Sequence, residues 1–554
     1  MKIFYKTLLL LFFNSVLIIS HSFAQQAPGI EWQNTIGGNS WDALWSISQT
    51  FDGGFILGGF SESDSSGDKT ENSKGFEDYW IVKTDALGNI QWQNTVGGSN
   101  VDDVTAIKQS LDGGYVIGGS SKSNISGDKS ENCLGDYDYW VVKLNSSGNI
   151  QWQNTIGGNQ RDLLTCLSPT TDAGYILGGY SYSGISGDKN ADNYDSTLVT
   201  ADYWIIKLDS IGNILWQKTI GGNDLEEFYS IQQTTDGGYI LGGQSASNIS
   251  GDKTEDEVGG GDYWLVKIDA SGNIEWQNTI GGGDFDVLTS VHQTSDFGYI
   301  LGGSSTSNIS GDKNENSMGV WDYWIVKTDS IGNIQWQNTI GGSSWDQLYS
   351  IQQTSDSGYI LGGISKSNIS GDKSQNCLGG SDYWIVKTNV SGVLQWQKTI
   401  GGNDWEYLYS LQQTADGGYI LGGFSPSNIS GDKTENPIGL DDYWIVKLLP
   451  DTITGISPTP ALPSGEGAAI APNPSHGIFQ ITLPPSSNQK TNYTLEVINT
   501  LGQRVFKDGF SSVSKSPSGG FRGPLDLSFL PKGMYVLKIN NGNVTTSNKK
   551  LIIE

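Results

Sequence analysis

Between residues 30 and 449, short apolar runs alternate with polar turns on a fixed beat. The stretch 349–399 shows the unit. Tyr349-Ser-Ile-Gln-Gln-Thr354 alternates apolar and polar side chains, the period-2 signature of a strand with one buried face. A turn at Asp356-Ser-Gly358 leads into a second strand, Gly358-Tyr-Ile-Leu-Gly-Gly363. A long polar loop carrying Ser367-Asn-Ile-Ser-Gly-Asp-Lys373 follows. Asp382-Tyr-Trp-Ile-Val-Lys387 is a third strand. After a turn at Gly392, where glycine supplies positive φ, Leu394-Gln-Trp-Gln-Lys-Thr399 is a fourth. No stretch holds a 3.6-residue apolar period, which excludes helical solenoids.

The unit recurs seven times. Asp-Tyr-Trp places tryptophan at Trp80, Trp140, Trp204, Trp264, Trp324, Trp384 and Trp444. Trp-Gln places it at Trp32, Trp92, Trp152, Trp216, Trp276, Trp336 and Trp396. Four strands per unit at a fixed period predict propeller blades. The first copy opens with a lone outer strand at 30–36, and the last stops after its third strand at 442–448. One strand plus three completes a blade, so the N-terminal strand is expected to close the ring and remove two sheet edges. The predicted fold is all-β: a seven-bladed β-propeller, followed by a small β-sandwich. An open stack of β units is the alternative. All 14 repeat tryptophans are expected to fill blade interfaces as structural core.

Composition agrees. Glycine stands at 75 of 554 residues, tryptophan at 19, and 59 acids oppose 32 bases for a net charge of −27. That charge argues against nucleic acid and anionic membrane as partners. Three cysteines cannot form a full disulfide framework. Residues 1–24 carry Lys2 and Lys6, an apolar stretch from Leu8 to Ile19, and Ser22-Phe23-Ala24, the pattern of a secretory signal peptide. The expected organisation is a signal at 1–24, a propeller at 25–449 that is monomeric, a Pro/Gly-rich linker at 450–470, and a C-terminal sandwich at 471–554.

Two resemblances follow. Lys267-Ile-Asp-Ala-Ser-Gly-Asn-Ile-Glu-Trp276 resembles the tryptophan-docking repeat of quinoprotein-type propellers, and the array as a whole resembles repeats of bacterial surface proteins. No vicinal cysteine pair or singular metal cluster accompanies it, so no quinone cofactor is carried over. The C-terminal blocks Pro472-Asn-Pro-Ser-His-Gly-Ile-Phe479, Leu495 to Val505, Leu525 to Lys538 and the terminal Lys549-Lys-Leu-Ile-Ile resemble the type A sorting domain of the type IX secretion system of Bacteroidetes. The motif positions are Pro472, Asn473, Pro474, Gly477, Gly502, Gly533, Tyr535, Lys549 and Lys550, and a Ser/Gly-rich insert at 511–523 departs from the pattern. The resemblance implies export through Sec and then the type IX machinery. It also implies removal of the domain, and release or attachment to surface lipopolysaccharide.

Candidate chemistry lies in the longer loops. One loop position is acidic in every copy: Asp42, Asp102, Asp162, Glu226, Asp286, Asp346 and Glu406. It serves either as a structural acceptor of backbone N–H groups or as a carboxylate ring that attracts a cation. Seven equal carboxylates make a poor acid–base pair. The Gly-Asp-Lys loops place Asp68, Asp128, Asp188, Asp252, Asp312, Asp372 and Asp432 as calcium candidates, although the adjacent lysine disfavours a cation. The residue before the acid differs between copies and is aromatic at Trp41, Phe285, Trp345 and Trp405. These copies become neighbours once the ring closes, so an aromatic arc beside Asp346 and Glu406 is the candidate ligand site for a glycan or protein; packing against the neighbouring blade is the alternative role of these rings. The expected function is non-enzymatic binding or adhesion, outside the cell or on its surface. The alternatives are an extracellular polysaccharide-active enzyme and a structural spacer.

Overall fold

The computed structural model describes residues 26–195 and 199–451. In the C-terminal segment it describes 469–471, 478–482, 492–499, 504–511, 522–527, 530, 533–541 and 544–553. The expected signal segment and nearly all of the expected linker lie outside the described residues. The chain divides into two compact units at Thr452 and Ile453.

The first unit is seven four-stranded antiparallel sheets. After the lone strand β1 (Ile30–Ile36), the first complete sheet runs β2 (Asp42–Gln49), β3 (Phe55–Ser61), β4 (Asp78–Thr84) and β5 (Ile90–Val96) in chain order. Five more sheets repeat it. In the seventh, β1 pairs antiparallel with Asp442–Leu448, which continues to Tyr419–Ser425 and Tyr407–Gln413. Each blade's first strand packs against the first strands of both neighbours, including the last blade against β2, so these strands form the inner wall of a closed ring.

Burial explains the elements. Each interface is one apolar cluster shared by two blades. Ile300, Tyr323 and Ile325 of the fifth blade meet Leu348, Ile351, Tyr359, Leu361, Trp384 and Val386 of the sixth, with Trp336 packed at the edge. The Asp-Tyr-Trp tryptophans are completely buried, and Trp384 donates its Nε1–H to Gln397 Oε1 at 3.1 Å. The Trp-Gln tryptophans are mostly half-buried on the outer strands and lie edge-on or tilted against an aromatic ring of the next blade, as Trp336 does on Tyr359 at 5.7 Å. The glycine pairs mark the closest approach. A Cβ on Gly362 would lie 2.8 Å from Leu411 of the next blade, and one on Gly363 would lie 2.0 Å from the carbonyl of Gln347. The inner strand carries a bulge: pairing passes from Leu44–Gly59 to Ser46–Gly58 and leaves Trp45 unpaired. All seven copies skip this residue.

The second unit holds a three-stranded and a four-stranded antiparallel sheet. Leu495, Val497, Leu527, Tyr535 and Leu537 are buried in it.

Candidate functional site

The loop that enters each inner strand and the Gly-Asp-Lys loop lie together on one face. Asp68 N–H donates to Gly37 O at 2.9 Å, Ser40 N–H to Ser63 Oγ at 2.8 Å, and Glu62 N–H to Trp41 O at 2.8 Å. The first two bonds recur in all seven blades, and the third in all but the seventh, where Pro426 has no N–H, so the loops of this face are fastened by backbone.

The aromatic candidates stand on this face and are exposed. Trp41 is 47% exposed, Phe285 55%, Trp345 40% and Trp405 43%. Trp345 and Trp405 share one cation: Lys366 Nζ lies 5.4 Å from the first ring centroid and 4.3 Å from the second. Below them the wall of the channel continues the aromatic surface. Tyr407 stacks on Phe424 at 5.1 Å, Tyr409 on Trp45 at 4.2 Å, and Tyr349 lies 4.9 Å from Tyr409. These residues belong to the sixth, seventh and first blades. The equivalents of Trp45 in the second, third and fifth blades are threonines. Thr105 and Thr289 turn their hydroxyls to the next blade's backbone, Thr289 at 2.7 Å from Leu348 O. At this level the wall is aromatic through the sixth, seventh and first blades, and elsewhere threonine except for Tyr229 of the fourth.

The acidic partners of the arc lie elsewhere. Asp346 and Glu406 have no exposed surface. Asp346 Oδ2 accepts from Gly342 N–H at 2.7 Å and Ser367 Oγ at 2.9 Å, and Glu406 Oε2 accepts from Gly402 N–H at 2.8 Å. They fasten the loop that carries the tryptophans, and no ligand on the face reaches them. The other five acids of the series are buried in the same role.

Each of these acids faces the Asp of the preceding blade's Asp-Tyr-Trp strand. Glu226 lies beside Asp202, and burial, with the charge of Glu226 adding to it, pushes Asp202 up to about 8. Burial pushes Asp322 up to about 6, with the charge of Asp346 adding to it. The Oδ1 atoms of Asp322 and Asp346 are both buried without a hydrogen-bond partner. The lysine of each Gly-Asp-Lys loop lies between two of these acids. Lys313 is buried, its Nζ 2.6 Å from Thr339 Oγ1 and 5.6 Å from the Trp324 ring, where it feels Asp286 and Asp322. A closed belt of carboxyls and lysines therefore runs around the blade junctions.

The calcium candidates are loop anchors, half-buried except for the exposed Asp188 and Asp312. Asp312 Oδ2 accepts from Gly281 N–H at 3.2 Å, and Asp68, Asp188, Asp252, Asp372 and Asp432 repeat the contact; Asp128 does so while also pairing with Lys74. Among the described residues no three His, Cys, Asp or Glu side chains converge on a point where a metal ion would sit.

Of the sorting positions, Pro472, Asn473, Pro474, Gly477 and Gly502 lie outside the described residues. Gly533 pairs with Ile553, Lys549 with Leu537 and Lys550 with Val536, and Tyr535 is buried between Asn499 and Leu551. Residues 469–554 match the family described as the secretion system C-terminal sorting domain. The C-terminal segment is a type IX sorting domain. It marks the chain for export to the cell surface or the extracellular space, and no helix among the described residues is long and apolar enough to cross a membrane.

Other likenesses are weaker. The regulatory protein FlaEY of Caulobacter vibrioides is 25% identical over 140 residues, which is 24% of this chain and 15% of that protein. The chain thus spans a small part of that relative's length. A puromycin hydrolase aligns over 84% of this chain and 62% of its own at 11% identity and a TM-score of 0.42. An apocarotenoid oxygenase of Synechocystis aligns over 81% and 92% at 10% identity and a TM-score of 0.30. The fold rests on the chain's own sheets.

Two features of the face carry no sequence motif: Lys366 between the tryptophans, and the aromatic wall below it. The signal for both was divergence. Where seven copies are nearly identical, the positions of Trp41, Ala43, Trp45, Phe60 and Glu62 differ from copy to copy.

Proposed function

We propose that this exported protein is a recognition module, and that it seats its ligand on the aromatic arc of the sixth, seventh and first blades. The supporting observation is where the repeats diverge. Core, turn and belt positions are repeated, whereas residues around the channel mouth are not, and three exposed tryptophans gather on one side of it. Flat, half-exposed rings beside a backbone-fastened polar rim suit the apolar face of a sugar or the side chains of a peptide. Probing a glycan and matrix-protein array with the exported protein tests this. A ligand retained by the wild type and lost by the Trp345→Ala/Trp405→Ala variant supports the reading, and an empty array speaks against it.

A second reading, a polysaccharide-active enzyme, is favoured by one observation. Glu77 and Asp103, from adjacent blades at the channel mouth, hydrogen-bond to each other, and burial together with this contact raises Glu77 well above the usual carboxylate range. The pair breaks the sevenfold pattern and favours keeping one carboxyl protonated, as a general acid requires, although its contact is closer than the about 5–9.5 Å between the two carboxyls of a glycosidase. Hydrolysis of a polysaccharide panel that is lost in Glu77→Gln would favour this reading over binding alone.

A further inference from the structure

Three residues beyond the bulge, the inner strands present one more divergent position to the axis. It is glutamine in three blades, Gln232, Gln352 and Gln412, and each takes the same cross-strand register as Lys108 of the second blade and His292 of the fifth. These five side chains therefore stand at one level of the channel.

The glutamines are oriented by their neighbours. Gln232 Oε1 accepts from Gln293 N–H at 2.6 Å, Gln352 Oε1 from Gln413 N–H at 2.9 Å, and Gln412 Oε1 from Gln49 N–H at 3.0 Å. With the amide oxygen occupied, each side chain offers the channel its NH2 group, a donor. No acceptor among the described residues takes these amides. At the junction after Lys108 the next blade carries Pro169, which has no N–H to give. There the repeat replaces the accepting glutamine with lysine, which has only donors. The Lys108 ammonium has no hydrogen bond or ion pair among the described residues. Burial lowers its pKa, and the only charge-bearing group it senses is Cys166, whose thiol burial pushes up to about 12 and so keeps neutral. Burial, with the Lys108 charge behind it, lowers His292 to about 4. The axis-facing acids Asp103 and Glu227 stand five residues up their strands, roughly 16 Å away at about 3.3 Å per residue.

Three free amide donors and an unpaired ammonium, with no carboxylate at their level, are the inverse of the rest of this acidic chain; the same position is Ser48 and Ser168 in the first and third blades, and neutral His292 offers one donor and one acceptor nitrogen. We propose that Lys108, His292, Gln232, Gln352 and Gln412 form an axial anion site that takes a carboxylate, sulfate or phosphate oxyanion. The lysine supplies charge and the amides supply directional hydrogen bonds. The site is separate from the aromatic arc, and failure of either reading leaves the other standing.

Isothermal titration of the exported protein with acetate, sulfate and phosphate at constant ionic strength tests it. The expected result is saturable binding of at least one of them at a single site. Lys108→Gln, which installs the commonest residue of the ring, and Gln352→Glu, which adds an acceptor, should each weaken it roughly tenfold or more. Lys218→Gln on an outer strand should leave it unchanged. Binding of acetate alone would assign the site to a carboxylate, and binding of sulfate or phosphate alone to a free inorganic ion. Circular dichroism confirms that each variant is folded, with Lys108→Met as the substitute should Lys108→Gln fail. No binding of any of the three anions, or wild-type affinity in the folded Lys108 variant, overturns the proposal.

Discussion

The Tyr443 hydroxyl donates to the carbonyl oxygen of Trp80 at 3.0 Å and so joins the last blade to the first. The bond recurs from Tyr79 to Trp140, Tyr139 to Trp204, Tyr263 to Trp324, Tyr323 to Trp384 and Tyr383 to Trp444, all at 3.0–3.1 Å. The exception is Tyr203, which reaches Gln244 O at 3.5 Å and lies 4.9 Å from Phe228, the one aromatic residue where the other copies carry leucine or valine. The closing junction is built like the internal ones.

Tyr443→Phe should therefore cost about 1 kcal/mol, the net worth of one buried hydrogen bond, and so should Tyr323→Phe. Chemical denaturation of both variants checks this. A much larger loss for Tyr443→Phe alone would mark the closure as the weak point of the ring.

The carboxyl belt sets a pH dependence. Asp202 is raised to about 8, and Asp442 and Asp102 to about 6, each first by burial. An unfolded aspartate titrates near 3.9, so between about pH 4 and these values the folded chain holds protons that the unfolded chain has released. The stabilisation from these groups is complete below about pH 4 and is lost as pH rises through 6 and 8. Asp52 and Asp172 act oppositely. Against the cost of burial, hydrogen bonds from Thr50 and Lys83 and from Thr170 and Lys207 hold them at about 2, and their contribution is lost as pH falls below about 4. The melting temperature should peak near pH 4 and decline as pH rises to about 8. Asp202→Asn should flatten the alkaline side of the curve.

Asp346→Ala should behave as a core substitution. It strands Gly342 N–H and Ser367 Oγ in a buried loop, at about 1–3 kcal/mol. A melting curve distinguishes this from a surface change, which should stay within about 0.5 kcal/mol.

Deleting residues 469–554 should leave the propeller inside the outer membrane. Cell fractionation with an antibody to the propeller checks this. Wild-type surface display by the truncated chain would remove the sorting role.

The ring was legible because its strands repeat: Asp-Tyr-Trp and Trp-Gln fix strand positions, and the lone strand at 30–36 fixes the closure partner. The burial of Asp346 and Glu406 was not legible. An acid in every copy is equally compatible with a charged rim and with a loop fastener, and only the Gly342 and Ser367 contacts decide between them. Lys366 was invisible for another reason. It lies between Trp345 and Trp405 through the ring geometry, and no spacing in the chain brings them together. Lys108 was hidden likewise, because its isolation depends on Pro169 of the next blade.

The most direct test of recognition by the aromatic arc is a paired measurement on the Trp345→Ala/Trp405→Ala variant: affinity for the ligand found on the array, and melting temperature. Binding lost with the melting temperature within a few degrees of wild type is the predicted result. Binding retained, or a collapse in stability of the size expected for a core tryptophan, about 3–5 kcal/mol, would contradict it.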